Sequence, residues 1–231
     1  MRLKDKKIFL TGSTGRLGKF LLRMLQEEGA LVMAPARREW DITSGELPVG
    51  LQMPSIPDII VHAAAYTNVP VAETDGRADC ISANVYGSEL VGRLAVKTKA
   101  KLVYISSDYV TLPEKSFYAW SKLAGESFVP RKTDMIVRTS FKQRGSWGKG
   151  KLEQVFHPVY TNADWTDVIA AKIVDAICLD LKGVVNIGTE EKTLKDLATQ
   201  EYKDVIECSV EKADEILGYH YPRDCRMKLT I

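Results

Sequence analysis

Eight residues near the start of the chain, Thr11-Gly12-Ser13-Thr14-Gly15-Arg16-Leu17-Gly18, separate a short apolar run from an amphipathic one. Residues 7–10 read as a strand. Beyond the turn, Leu17, Leu21, Met24 and Leu25 fall at i, i+4, i+7 and i+8, one face of a helix, and Gly29 ends the pattern. Few folds place a glycine-rich turn between a first strand and a first helix. Glycines let other groups approach the backbone closely, and the helix start offers N–H donors with a partial positive charge. Such a turn can hold a dinucleotide pyrophosphate, which makes Gly12, Thr14, Gly15, Arg16, Leu17 and Gly18 candidate cofactor contacts. The spacing is G-x-x-G-x-x-G, not the G-x-G-x-x-G of the usual dinucleotide fingerprint. An ordinary strand-to-helix turn carries glycines as well, so the rest of the chain has to decide.

Strand-like and helix-like segments continue to alternate. Residues 30–34, 58–62, 101–106 and 134–139 are apolar and short, as strands are. Residues 77–97 form a long helix with Leu90, Val91, Leu94 and Ala95 on one face, and residues 117–128 form another. This rhythm predicts an α/β fold with a parallel sheet covered on both faces. Right-handed crossovers make it doubly wound, or Rossmann-like, with ligands at the carboxyl ends of the strands. Residues 1–140 form the dinucleotide-binding core on this reading. Residues 141–231 complete the core and form a small substrate-side part. They comprise a Gly- and Lys-rich surface loop (143–151), a helix (165–181), a strand (184–187) and short helices (193–201 and 210–217). The tail, 221–231, has no clear period.

The 231 residues are enough for one large α/β domain with a full core. Thirty-two basic and 30 acidic residues leave a net charge of +2, so nothing points to nucleic acid or an anionic membrane. Cys80, Cys178, Cys208 and Cys225 are scattered without a C-x-x-C, and the three histidines are isolated. That argues against a metal site or a disulfide framework and fits a reducing, cytoplasmic setting. The apolar run 8–10 is too short for a signal-peptide core, and no stretch is long enough to cross a bilayer.

Three groups carry chemistry. The second strand runs into Pro35-Ala36-Arg37-Arg38 with no carboxylate before Glu39. An acid there would hold the ribose hydroxyl of NAD. The guanidinium forks of Arg37 and Arg38 suit the extra phosphate of NADP, so NADP is preferred and NAD is the alternative. Tyr118 and Lys122 lie at i, i+4 on one helical face. A neighbouring ammonium lowers the pKa of a phenol and makes it a usable acid at neutral pH. Ser107, at the end of the fourth strand, can donate to a carbonyl. Each signal alone is weak: a surface helix and a serine-containing turn would read the same way. Together they indicate nicotinamide-dependent reduction of a carbonyl, with no metal needed to polarise it. His62, at a strand end, reads as a packed residue and not as a base.

The glycine turn, Tyr118-x-x-x-Lys122 and the preceding serine resemble the extended short-chain dehydrogenase/reductase superfamily. Within it, His62-Ala63-Ala64-Ala65-Tyr66-Thr67-Asn68-Val69 and Ile105-Ser106-Ser107-Asp108-Tyr109-Val110 resemble the dTDP-4-dehydrorhamnose reductases. So do Asp41-Ile42-Thr43, Asn84-Val85-x-Gly87 and Val137-Arg138-Thr139-Ser140. The resemblance implies a keto-deoxysugar nucleotide substrate, with Ser107, Tyr118 and Lys122 as the catalytic set. It places Ala63, Ala64, Ala65 and Lys122 beside the nicotinamide ribose and Asp41 and Ile42 by the adenine. Tyr66, Thr67, Asp108, Tyr109 and Arg223 fall on the substrate side. A homodimer is compatible with it.

Only residues 110–117 separate the serine motif from Tyr118, which predicts a shallow substrate side. Two other functions remain open on these residues. One is a dinucleotide-binding regulatory or partner subunit with little or no turnover. The other is a sugar-nucleotide epimerase or dehydratase using the same three residues.

Overall fold

The computed structural model describes residues 1–47, 56–112, 116–145, 153–217 and 219–231. The first half runs β1 (Lys7–Thr11), α1 (Arg16–Glu27), β2 (Leu31–Met33), β3 (Ile59–His62), α2 (Val69–Ala72), α3 (Arg77–Ile81), α4 (Gly87–Thr98), β4 (Lys101–Ile105), α5 (Phe117–Glu126) and β5 (Met135–Arg138). The second half runs β6 (Phe141–Lys142), β7 (Glu153–His157), β8 (Tyr160–Thr161), β9 (Asp164–Trp165), α6 (Thr166–Cys178), β10 (Gly183–Asn186), β11 (Lys192–Thr193), α7 (Leu194–Thr199), β12 (Val205–Ser209), α8 (Val210–Leu217) and β13 (Asp224–Cys225).

Among the described residues the central sheet has six strands in the order β2-β1-β3-β4-β5-β10, every pair parallel. The strands are apolar along their length because both faces are covered, and alternate residues serve opposite layers. Ile8 and Leu10 of β1, Ile59 and Val61 of β3, and Val103 and Ile105 of β4 join Leu17, Leu21, Leu25, Ile169 and Ile173 of α1 and α6. Phe9, Ile60, Leu102, Tyr104 and Ile136 point the other way, against Leu90, Val91, Leu94 and Ala95 of α4. The order of strands reverses between β1 and β3. A crevice therefore opens there beyond their carboxyl ends, where doubly wound sheets bind ligands.

The α/β parallel architecture matches the sequence reading, with two refinements. The helix expected over 77–97 is one helical run of three parts, because a π-helical stretch, Ser82–Tyr86, interrupts it between α3 and α4. The extra residue of a π turn only offsets the apolar face, so periodicity does not betray it. Beyond residue 140, α6 and β10 are built into the main core, while β12 pairs in parallel with β7 from Val205↔Glu153 to Ser209↔His157. β8 lies between β11 and β13, and β6 pairs with β9. These short strands carry too few residues to show a period, and β13 lies in the tail read as irregular. Most of the loop expected at 143–151 lies outside the described residues.

Candidate active site

The glycine turn sits at the point where the strand order reverses. Gly12 has φ +73°, and a Cβ on it would stand 2.5 Å from the Ala64 nitrogen at the end of β3. A Cβ on Gly18, in the first turn of α1, would overlap the carbonyl oxygen of Gly12. Both positions exclude side chains because the turn is folded onto α1 on one side and onto β3 on the other. Gly15 stands at the N-cap; no side chain caps α1 and no acid lies in its first turn. The donors and the positive end of the helix are thus left for an anion. Thr14, Gly15 and Arg16 are exposed, whereas Leu17 is buried in the core and has only its main chain to offer a ligand.

Beside the turn, the amide of Ala64 donates to Thr11 Oγ1 (3.2 Å), and Thr11 Oγ1 lies 2.8 Å from His62 Nδ1. His62 Nε2 is 3.3 Å from Ser88 Oγ, which donates to the Asn84 carbonyl at 2.7 Å. With the hydroxyl of Thr11 donating to Nδ1, the ring proton sits on Nε2 and every group has a partner. Burial, helped by the nearby charge of Lys122, lowers the His62 pKa to about 3. His62 is therefore a neutral packed residue, as the sequence suggests. Ala63, Ala64 and Ala65 continue from it, half-buried, along the crevice.

The loop after β2 holds an ion pair that the sequence reading does not include. Arg37 and Arg38 are exposed, but Arg37 Nε donates to Asp41 Oδ2 at 2.9 Å. A carboxylate four residues on in the chain thus folds back against the first of the two guanidiniums. Asp41 also accepts from the Thr43 amide and hydroxyl. Ile42 is buried with Phe9, Trp40 and Ile60, and a Cβ on Gly87 would press on its side chain at 2.8 Å. It shapes the floor of this region from within the core.

On the other side of the crevice, β4 is followed by Ser106, Ser107 and Asp108. Ser107 Oγ donates to Asp108 Oδ1 (3.2 Å) and accepts from the Tyr109 amide (3.2 Å), fixing a tight 3-10 turn over Asp108–Thr111. This turn meets α5: the rings of Tyr109 and Tyr118 lie edge to face with centroids 6.4 Å apart. Lys122, 2 % exposed, places its Nζ 4.3 Å over the ring of Tyr104 in β4. The fold therefore brings the turn after Ser107 against α5, the helix of Tyr118 and Lys122, at the carboxyl end of β4. Nearby, Thr139 Oγ1 at the end of β5 is buried without a hydrogen-bond partner, the kind of orphan that a bound polar group satisfies.

The electrostatics correct one expectation. Lys122 was expected to lower the pKa of Tyr118. Instead, burial pushes the phenol well above the ordinary tyrosine range, with the charges of Asp108 and Cys80 adding to the rise. Burial also lowers the Lys122 amine to about 7, against the opposing charges of Glu126 and Cys80. Burial disfavours the charged form of each group and dominates at both. Asp108 is likewise raised to about 7 by burial, although Ser107 and Lys142 oppose the rise.

The substrate-side residues do not all meet. Tyr66 is half-buried, and its amide and carbonyl are clasped by Asn84 (2.8 and 3.2 Å). Thr67 is exposed. Arg223 pairs with Asp214 at 3.2 Å and lines a cavity of about 370 Å³ with Leu112, His220, Tyr221, Pro222 and Asp224. That cavity opens beside the 3-10 turn that follows Ser107.

Two further groups shape the site. Asn84, in the π stretch, also donates to Ser121 Oγ of α5 at 2.9 Å. Its place in Asn84-Val85-x-Gly87 was the only sequence signal for it. Glu126, 1 % exposed, accepts from Ser106 Oγ (2.7 Å) and from both Arg138 Nε and Nη2 (2.9 and 2.7 Å). It joins β4, α5 and β5 behind Lys122. An acid one turn beyond Lys122 would be the only hint of it in the sequence.

The chain is 29% identical over 168 residues to dTDP-4-dehydrorhamnose reductase of Mycobacterium tuberculosis, a match covering 63% of this chain and 53% of the relative. It is 38% identical over 136 residues to the Burkholderia thailandensis enzyme of that name, covering 52% and 44%. The chain thus spans about half the length of the curated relatives it matches. The solved structure of dTDP-4-dehydrorhamnose reductase from Bacillus anthracis, in complex with NADP, superposes with a TM-score of 0.84 at 25% identity, covering 98% of this chain and 91% of that one. Residues 6–170 match the model of the RmlD substrate binding domain. With that match running over more than half of its length, this chain belongs to the RmlD substrate binding domain family.

Proposed function

We propose that the protein is an NADP-preferring reductase of a keto group on a deoxysugar nucleotide, of the dTDP-4-dehydrorhamnose reductase type. The observation that carries this reading is the meeting of the turn after Ser107 with the helix of Tyr118 and Lys122, at the same edge of the parallel sheet as an anion-ready glycine turn. The residues present fit the dinucleotide. The main chain of Gly12–Gly18 and the open start of α1 would hold the pyrophosphate, and Arg37 and Arg38 the ribose phosphate. Ala63–Ala65 and Lys122 would lie by the nicotinamide ribose. When bound, the reduced dinucleotide supplies the hydride that reaches the carbonyl carbon.

The chain's own residues do the rest. Ser107 donates to the carbonyl oxygen and holds it. Tyr118, whose raised pKa keeps its proton in place until negative charge develops on that oxygen, gives the proton up. Lys122 in its charged form stabilises the phenolate that results. The cavity at Tyr221 and Arg223 lies on the side where Asp108 and Tyr109 would face the sugar nucleotide. No described helix is long and apolar enough to cross a membrane. With its unpaired cysteines the chain suits the cytoplasm, and a homodimer would complete the picture.

The test is NADPH oxidation against a panel of 4-keto and 3-keto nucleotide sugars, repeated with NADH and with Tyr118→Phe. Turnover is expected with at least one sugar and with a preference for NADPH. The Phe variant should lose on the order of 10²–10⁴-fold in kcat while still binding the dinucleotide. Dinucleotide binding with no turnover on any sugar would favour the partner-subunit reading instead.

A further inference from the structure

The helix that carries Tyr118 and Lys122 does not begin with a cap of its own chain segment alone. Ser116, 4 % exposed, is the N-cap of α5 and accepts from the Ala119 amide at 3.2 Å. Its hydroxyl hydrogen is committed elsewhere: it donates to Glu73 Oε1 at 2.9 Å. Glu73 Oε2 accepts from the Phe117 amide at 2.9 Å, and Oε1 accepts from the amide of Tyr118 itself at 3.1 Å. The amides of the first turn, which a helix leaves without partners, are thus met by one serine and one carboxylate from a segment more than forty residues away. A negative charge is also favoured at that end of the helix.

Glu73 is the C-cap residue of α2, seven residues past Tyr66. Its neighbour Ala72 is fully buried in a cluster with Cys80 and Tyr118, against which Tyr66, Val69, Tyr109 and Phe117 pack. The carboxylate therefore ties the loop leaving β3, along which the nicotinamide ribose would lie, to the peptide unit that carries the phenol. At the far end of α5, Glu126 makes the corresponding tie to β4 and β5.

We infer that Glu73 is a positioning residue: it sets where Tyr118 stands by holding the first amides of α5 against the loop from β3. The inference rests on the reductase reading of Tyr118. It goes further in assigning a role to a residue outside the set of Ser107, Tyr118 and Lys122. A misplacement of about 1 Å at a proton donor is enough to cost on the order of 10²-fold in rate.

The experiment compares Glu73→Ala, Glu73→Gln and Ser116→Ala in the full chain, by kcat, dinucleotide KM and Tm. Both alanine variants remove capping bonds, so both should lower Tm by a few degrees, about the loss of one helix cap. Only the Glu73 change frees the Tyr118 amide. Glu73→Ala should lower kcat by about 10–100-fold with the dinucleotide KM within about threefold of wild type. Glu73→Gln, which keeps one acceptor oxygen, should recover part of the rate and stands in if the alanine variant does not fold. Ser116→Ala should stay within about threefold of wild-type kcat. Equal loss of turnover in Glu73→Ala and Ser116→Ala, or wild-type kcat in Glu73→Ala, overturns the inference.

A wild-type chain that reduces no sugar refutes the reductase reading and leaves the placement to be read separately. NMR of the Tyr118 amide and ring, with Tyr118→Phe to assign the signals, then follows the placement. Both signals should shift in Glu73→Ala and stay near their wild-type positions in Glu73→Gln, and unmoved signals in Glu73→Ala overturn the placement.

Discussion

Lys122 is the residue at which stability and chemistry conflict. A lysine 2 % exposed, lying over the ring of Tyr104 and lowered to about 7 by burial, destabilises the fold whenever it is charged. The sign follows from linkage. The folded pKa lies below the unfolded value of about 10.4, so between the two the unfolded chain binds the extra proton and stability rises with pH. Below about 7 the amine is charged in both states and the cost is complete. Lys122→Met should therefore raise Tm at pH 6. The advantage over wild type should shrink as pH climbs from about 7 toward 10, while turnover falls by on the order of 10²-fold or more. Thermal melts across that range check it, and a variant less stable than wild type at pH 6 would show that the lysine packs better than burial alone implies. Tyr118-x-x-x-Lys122 was legible as a pair on one helical face. Its electrostatics were not, because the spacing carries no information on how much water the fold removes from each group.

At the scale of an element, the turn between β1 and α1 is held by what cannot be placed in it. The Gly12 carbonyl oxygen occupies the space of any Cβ on Gly18, and the end of β3 occupies that of one on Gly12. Gly18→Ala should cost about 1–3 kcal/mol of stability, since the turn must shift to admit the methyl group. The same shift should weaken dinucleotide binding at least about tenfold, because the amides of the first helical turn lose their aim. Denaturant unfolding and calorimetry with NADPH measure the two effects. Wild-type values for both would mean that the turn is looser than its contacts indicate. The glycines themselves were plain in the sequence. The loop after β2 was not, since the bond from Arg37 to Asp41 depends on a local fold-back that the run Pro35-Ala36-Arg37-Arg38 does not reveal.

The described residues of the whole molecule form a six-stranded parallel sheet, and the proposed function gives it a small substrate side at the 3-10 turn after Ser107 and the segment around Tyr221 and Arg223. With few walls among the described residues to orient a nucleotide sugar, binding recovers less of the freedom it costs. KM for a dTDP-sugar should therefore lie near or above about 1 mM, the upper end of the common range. What binding remains should depend on Tyr66, Thr67 and Arg223, unless a second copy supplies the missing wall. Steady-state kinetics and light scattering on one sample distinguish these, and a tight KM from a strict monomer would contradict both.

The sequence alone determined the layered architecture and the order of its strands along the chain, because strands buried on both faces must be apolar throughout and helices must show one apolar face. It also offered the candidate residues for the chemistry, because a glycine turn, a serine at a strand end and a phenol one helical turn from an ammonium point together where each alone is weak. Only the tertiary structure decided the pKa values of Tyr118, Lys122 and Asp108, the engagement of Arg37, the π stretch that turns Asn84 inward, and the hold of Glu73 on α5. Each of these depends on groups far apart in the chain meeting in a volume from which water is excluded. The strength of a charge or hydrogen bond there is set by that surrounding and not by the residue itself.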